Sequence, residues 1–274
     1  KRGIPIYVFK PYHNKYPNFL VCSRSRNKRD LFCTIQYNKF DKIKEKHLGK
    51  LEEILGEVND YNNQIKYLLT QYYLNYPINK KIIKEYNLQE KIDLDLDKNI
   101  QLQNKQVDYE VVSIDPYGCK DVDDTFHFVK NNNSYEIGIH IADILFYFNE
   151  KMNNIVKNRF FTIYYDDGKN NMLPDIYSEN LISLIENQNR YAISVIYTYN
   201  KNKLIKTEVR RSIVKNKKQF TYNEVDDIFR RNRYKNRTER VIIDLKKFME
   251  NELDYKDLNS HNLIEYFMIK TNEY

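Results

Sequence analysis

Apolar positions change their period along the chain, and each change marks a structural unit. Residues 5–9, 19–22 and 31–37 are short apolar and aromatic runs separated by polar turns at 12–17 and 23–30, which predicts three short strands. Gly49 reads as a turn or cap glycine leading into 51–58. From Asp60 the period lengthens. Tyr61, Ile65, Leu68, Leu69, Tyr72 and Tyr73 recur at three- and four-residue steps, predicting an amphipathic helix with Asp60 as N-cap and Pro77 as its stop. A short second helix is expected over 79–86. Alternating Asp and Leu over 92–102 predict an exposed linker.

Strand periodicity returns at 109–114 and continues at 125–129 and 135–141, joined by Asn131-Asn132-Asn133-Ser134, whose residues suit a hairpin turn. Beyond it the pattern predicts a helix over 149–159, a strand or extended turn over 160–165 and a loop over 166–171. Met172-Leu173-Pro174 then leads into a helix around 176–184. Residues 192–199 and 204–214 alternate about a turn at 200–203, a second hairpin. Helices follow at 222–231, 237–250 and 261–272. Strand runs and helical runs along one chain suit an α+β fold. The expected division is 1–58 as a small β region, 59–106 as a helical connector and linker, and 107–274 as the main domain. Short strands with basic turns in the first region suit a small barrel or its remnant.

Composition narrows the class. A chain of 274 residues with 41% hydrophobic and 30% charged content has the make-up of a globular protein with a real core. With 25 tyrosines and no tryptophan, no single aromatic is informative by itself. Cys22, Cys33 and Cys119 are odd in number and lack metal-ligand spacing, which predicts a reducing, intracellular and most simply cytoplasmic setting without a disulfide framework. No apolar run approaches the roughly 18 residues of a membrane span, and no secretory leader pattern is present. Charge matters through its distribution. Residues 201–240 hold 14 Lys and Arg against 5 Asp and Glu, an excess that would attract a polyanion, nucleic acid first. A merely solvated charged surface is the competing reading.

The candidate chemistry lies between the first two strands of the main domain. Asp115, Asp121, Asp123 and Asp124 fall within ten residues, with only Lys120 among them. Carboxylates this dense repel one another unless a cation sits between them, and hard oxygen donors suit Mg²⁺ or Mn²⁺ better than zinc. Two-metal phosphoryl transfer needs such a set. In an extended segment Asp121 and Asp123 share a face and Asp124 points away, so all four meet only if the loop curls around the ion. Three rivals share parts of the pattern. Asp121-x-Asp123-x-Thr125 fits an aspartyl-phosphatase signature, but Tyr117-Gly118-Cys119-Lys120 is a poor preceding strand. Asp121-x-Asp123-Asp124 fits a terpene-cyclase proton donor, found in large Trp-rich helical proteins. A calcium loop counted from Asp115 would need Gly and Glu where Lys120 and Phe126 stand. A structural acidic turn is the remaining alternative.

Ile114-Asp115-Pro116 with Asp121, Asp123 and Asp124, followed by Gly138-Ile139-His140-Ile141-Ala142-Asp143, resembles the catalytic domain of the ribonuclease II/R exoribonucleases, the RNB family. Later pieces keep the same order: Arg159, Thr162 and Tyr164; Met172-Leu173-Pro174; Leu181, Ser183 and Leu184; Arg190 and Ala192; Thr221, Tyr222 and Glu224; Leu263-Ile264-Glu265 and Met268. Residues 1–58 are similar to the end of the OB-fold, cold-shock-like region that precedes that domain. The resemblance implies stepwise 3′→5′ hydrolysis of single-stranded RNA to nucleoside 5′-monophosphates with Mg²⁺, or Mn²⁺ in its place. It also implies single-stranded RNA as partner, a larger RNA-decay assembly as setting, and no membrane. By motif position Asp115, Asp121, Asp123 and Asp124 match the metal-binding and catalytic carboxylates. Tyr164 matches the tyrosine that stacks on the 3′-terminal base, His140 and Asp143 fall in supporting positions, and Cys119 stands where a small packing residue is usual. The loop after Tyr164 lacks the family's prolines. A later arginine motif and an S1 domain follow in the family, so the chain is expected to be part of a longer enzyme and to be inactive alone.

Overall fold

The computed structural model describes residues 3–26, 29–72, 74, 84, 109–132, 134–157, 159–166 and 168–273. The helix expected over 79–86, but for Lys84, and the linker expected over 92–102 lie outside them. The chain divides into two units, Lys1–Ile78 and Asn79–Tyr274.

In the first unit, strands β1 (Ile6–Phe9), β2 (Phe19–Cys22), β3 (Leu31–Asp41) and β4 (Lys46–Glu57) form a sheet of order β1-β2-β4-β3, an OB-like arrangement. Gly49 is not a turn. It lies inside β4, where a Cβ would stand 2.7 Å from Ile35 Cδ1, so the missing side chain makes room for the sheet's own packing. The reversal comes earlier, at residues 42–45. Helix α1 (Tyr61–Gln71) begins as the sequence predicts, the Asp60 carboxylate accepting from the Asn63 N–H at 3.0 Å. Its Tyr67 ring stacks on Phe32, with centroids 4.2 Å apart. The helix ends at Gln71 with Tyr72 as its C-cap, short of Pro77, and the Leu74 N–H bonds the Leu69 carbonyl at 2.6 Å.

The second unit is built on a closed barrel. Strands β5 (Val111–Asp115), β6 (Asp124–Asn131), β7 (Ser134–Ala142), β10 (Asn189–Asn200) and β11 (Lys203–Thr221) close in the order β10-β11-β5-β6-β7. The β5–β11 pair is parallel and the others antiparallel. The α+β class therefore holds, with the sheet closed on itself and β11 running to Thr221 rather than to 214. Between β7 and β10 come α2 (Ile144–Tyr147), α3 (Glu150–Val156), strands β8 (Ile163–Tyr165) and β9 (Gly168–Asn170), and a π-helical turn (Tyr177–Leu181). Three local expectations change here. Arg159 lies beyond α3. The stretch 166–171 is not all loop, because β9 pairs with β8. Only a π-helical turn occupies 177–181, since Ile182 to Leu184 turn away so that the Leu184 N–H can bond the Val122 carbonyl at 2.8 Å. The chain ends in α4 (Tyr222–Arg231), α5 (Arg237–Glu252) and α6 (Ser260–Asn272).

Strand alternation separates two environments. Val112, Ile114, Phe126, Phe128, Ile137, Ile139, Val195, Tyr197 and Phe220 pack against buried residues of α4, α5 and α6 in one hydrophobic cluster. Helices can cover only the outside of a five-stranded barrel, so the alternate positions face inward. Many of those positions are polar: Ser113, Thr125, His127, His140, Ser194 and Ser212 are all buried, with Val111 and Ile196 among the apolar ones. His127 Nδ1 lies 2.9 Å from His140 Nε2, His140 Nδ1 lies 2.6 Å from Ser194 Oγ, and Ser194 bonds Ser212. Burial holds both imidazoles below their usual pKa range, and at the end of the chain His127 Nε2 lies 3.2 Å from the Glu136 carboxylate. A second cluster, with Val122, Tyr147, Met152, Tyr177, Leu181 and Leu184, packs beneath the acidic loop.

Candidate active site

The loop from β5 to β6 is shaped by four local devices. The Cys119 N–H bonds the Pro116 carbonyl at 3.1 Å, closing a turn with Gly118 at φ +77°, a conformation that favours glycine. Val122 is fully buried in the second cluster. Ser183 Oγ donates to the Lys120 carbonyl at 2.7 Å and accepts from the Val122 N–H at 2.8 Å. The Ala142 N–H bonds the Asp123 carbonyl at 2.9 Å. With Val122 pinned inward, its neighbours Asp121 and Asp123 are turned to the other side of the extended segment.

Asp115 ends β5, is only 7% exposed, and accepts from Ser113 Oγ at 2.7 Å. Ser113 in turn accepts from Asn216 Nδ2 at 3.1 Å. Asp124 opens β6 opposite Ile141 of β7. Burial pushes the Asp115 carboxyl up to about 6, against hydrogen bonds from Ser113 and Gln219 and with the Asp123 charge adding to the rise. Burial pushes Asp124 up to about 7, reinforced by the charges of Asp115 and Asp123. Water reaches Asp123, yet the protein packed around it and the Asp121 charge still raise its pKa, with Lys169 opposing. The four carboxylates thus feel one another, as the curled loop requires. Among the described residues, none of Asp115, Asp123 and Asp124 forms an ion pair. Asp121 does, with Lys169 Nζ at 3.0 Å.

The donor chemistry fits a hard divalent cation: hard oxygen ligands, with Asp115 buried, Asp121 and Asp124 half-buried and Asp123 open to water, three of them without an ion-pair partner among the described residues. Among the described residues, no three His, Cys, Asp or Glu side chains are already gathered into a closed ligand set. The carboxylates are close enough for their charges to raise the pKa values of Asp115, Asp123 and Asp124 without forming a ready ligand set among the described residues.

Tyr164 lies on β8, 70% exposed, directly across from Lys169 on β9. Tyr165 is half-buried against Gly168. His140 belongs to the barrel's inner hydrogen-bond chain. Asp143 is buried, caps α2 and pairs with Arg211 at 3.0 Å. Cys119 donates its thiol toward Asp121, and burial with the Asp115 and Asp121 charges pushes it up to about 12, so it is no nucleophile at neutral pH. The basic stretch runs along β11, α4 and the start of α5. Part of its charge is spent locally: Arg230 pairs with Asp227, Arg231 with Glu239, Arg240 with Asp244 and Lys206 with Glu208.

Sequence reasoning missed Ser113, Gln219 and Lys169, and named Ser183 only as a motif residue without a role. Ser113, two residues before Asp115 on one strand, necessarily shares its face. Lys169 had no such signal: an Asp167-Gly168 turn would have paired Tyr164 with Asn171 rather than with Lys169.

The raised carboxyl pKa values imply a pH dependence of stability. Unfolded, both groups return to about 4; folded, they titrate near 6 and 7. The folded state holds their protons more tightly, so the favourable contribution is complete below about pH 4 and is lost as pH rises through those values. Metal-free protein should lose more thermal stability between about pH 5 and about pH 8 than the Asp124→Asn variant, and a divalent cation should restore the loss at the higher pH. Equal losses in melts with a chelator present would contradict the assignment.

A family model described as RNB domain matches residues 102–253. Ribonuclease R of Ureaplasma parvum is 28% identical over 228 residues, covering 81% of this chain and 30% of that protein. The exosome complex exonuclease dis3 of Schizosaccharomyces pombe is 35% identical over 133 residues, covering 46% of this chain and 14% of that protein. The solved structure of Mycoplasma genitalium RNase R in complex with ribose methylated single-stranded RNA aligns with a TM-score of 0.69 at 19% identity, covering 91% of this chain and 41% of that one. That likeness is one of fold. The chain spans less than a third of the length of these two curated relatives.

Proposed function

This chain belongs to the RNB-domain family, and from that premise we propose that it supplies the acidic centre of a 3′→5′ exoribonuclease acting on single-stranded RNA. The observation that carries the reading is the set of mutually crowded carboxylates, three of them without an ion-pair partner among the described residues and with pKa values raised. A structural acidic turn has no reason to bury charge that it does not neutralise.

Asp115, Asp121, Asp123 and Asp124 would hold Mg²⁺ or Mn²⁺, which when bound supplies a polarised water and counter-charge for the scissile phosphate. Ser113, itself held by Asn216, orients the Asp115 carboxylate toward the pocket. Ser183 and Val122 fix the loop so that Asp121 and Asp123 face the same side. Tyr164 offers an open aromatic face, which accepts any base and so suits a nuclease that reads no sequence. The exposed Lys and Arg of β11 and the α4–α5 connection would draw the phosphate backbone in a salt-sensitive way. The reading extends to nucleoside 5′-monophosphates as products and, through the similarity to an exosome exonuclease, to work within an RNA-decay assembly.

Replacing Tyr164 with Ala should weaken the hold on the RNA 3′ end by about 1–3 kcal/mol, with longer end products and hydrolysis otherwise intact. Tyr165 cannot take over without leaving Gly168. An unchanged product ladder would remove Tyr164 from the role. The function itself is tested with the full-length protein on 5′-labelled single-stranded RNA, with Mg²⁺ or with chelator. Metal-dependent shortening one nucleotide at a time supports it. Internal cuts, or binding without cleavage, would overturn it.

A further inference from the structure

Lys169 joins two parts of the site that sequence spacing keeps apart. Its Nζ lies 3.0 Å from Asp121 Oδ2 and 3.2 Å from Glu179 Oε1 on the π-helical turn. In the β8–β9 hairpin Lys169 is the direct cross-strand partner of Tyr164, so the two side chains leave the same face. Asp121 Oδ1 takes the Cys119 thiol at 3.5 Å. Among the described residues Asp121 therefore differs from the other three aspartates in holding an ion pair, with its second oxygen on the thiol. Burial alone would lower the Lys169 pKa, but the hydrogen bonds to Asp121 and Glu179 carry it above its usual value, and the ammonium is charged. A charge this close repels a divalent cation and occupies an oxygen that such a cation would use.

We propose that Lys169 is a positioning residue that competes with the divalent cation for Asp121 and, through its pairing with Tyr164, couples occupancy of the acidic pocket to the placement of the β8–β9 hairpin. This rests on the reading of the four aspartates as metal ligands. Without the cation, Lys169 holds the hairpin to the acidic loop. With Asp121 given over to the cation, Lys169 keeps Glu179 and the hairpin is released from the loop. Metal loading and the setting of the stacking platform are thereby one event, on this chain's own residues.

Calorimetric titration of Mn²⁺ into the full-length protein, without RNA, tests the competition. Lys169→Met keeps the length of the stem and removes the charge, so it should bind Mn²⁺ roughly three- to tenfold more tightly than wild type. Lys169→Gln should agree with it, and Lys169→Arg should stay within about twofold of wild type. Hydrogen exchange of the 163–170 peptide tests the coupling. Mn²⁺ should speed exchange there in wild type and leave the already fast Lys169→Met variant unchanged. If wild type binds Mn²⁺ and both neutral variants bind it equally or more weakly, Lys169 is merely structural and the proposal is wrong while the metal reading stands. If exchange at 163–170 ignores Mn²⁺ in wild type, the coupling is wrong. If wild type binds no Mn²⁺, the metal reading fails and this inference fails with it.

Discussion

Asp124→Asn should reduce RNA hydrolysis by about 10²–10³-fold in the full-length protein while leaving RNA affinity equal or higher. Counter-charge at the phosphate is worth several kcal/mol in the transition state, and each ~1.4 kcal/mol lost is a factor of ten in rate. The folded state should not suffer. The Asp124 carboxyl titrates near 7 because burial and two neighbouring aspartates disfavour its charge, and a neutral amide of the same shape removes that conflict. Its backbone place opposite Ile141 is unaffected. RNA affinity holds because one negative charge near a polyanion is gone and no basic residue is touched. Single-turnover rates beside a binding titration and a melt decide it: a variant within tenfold of wild type in rate would remove Asp124 from the chemistry.

Gly138→Ala should destabilise the protein by about 2–4 kcal/mol, combining overpacking with loss of a buried hydrogen bond. A Cβ at position 138 would stand 2.1 Å from His127 Cε1, 2.4 Å from His127 Nδ1 and 2.9 Å from Ile196 Cδ1. His127 is 1% exposed and cannot move aside without giving up its 2.9 Å bond to His140. The melting temperature should fall by about 5–15 °C for a domain of this size. A fall under about 2 °C would mean that the inner chain of hydrogen bonds is looser than its distances imply.

Local signals were legible where chemistry and structure are neighbours in sequence. Asp60 caps α1 as its place before the periodic run indicates. The short strand 19–22 and the acidic loop could be read because each is specified within a few residues. Barrel closure could not. It depends on β11 pairing in parallel with β5, about a hundred positions earlier, and no local period records such a partner. The polar interior was hidden for the same reason: Ser194 and Ser212 look like ordinary strand residues until the sheet closes over His127 and His140. Gly49 misled because a glycine before a new run usually signals a turn, whereas here it yields to Ile35. Lys169 escaped because its significance comes from two partners, Asp121 and Glu179, on different elements. Tyr164 was singled out only by its spacing from Arg159, and the hairpin pairing now adds a second, independent reason to consider it.

The central claim is that a divalent cation binds at the loop joining β5 and β6. Fe²⁺ substituted for Mg²⁺, with ascorbate and peroxide, generates hydroxyl radicals that cut the backbone close to the bound ion, and the cut sites can be mapped by mass spectrometry. Cuts clustered at residues 115–124 and at the neighbouring β9 strand, competed by Mg²⁺ and absent from an Asp115→Asn, Asp124→Asn double variant, are the predicted result. Cuts elsewhere, or the same cuts in the double variant, would contradict it.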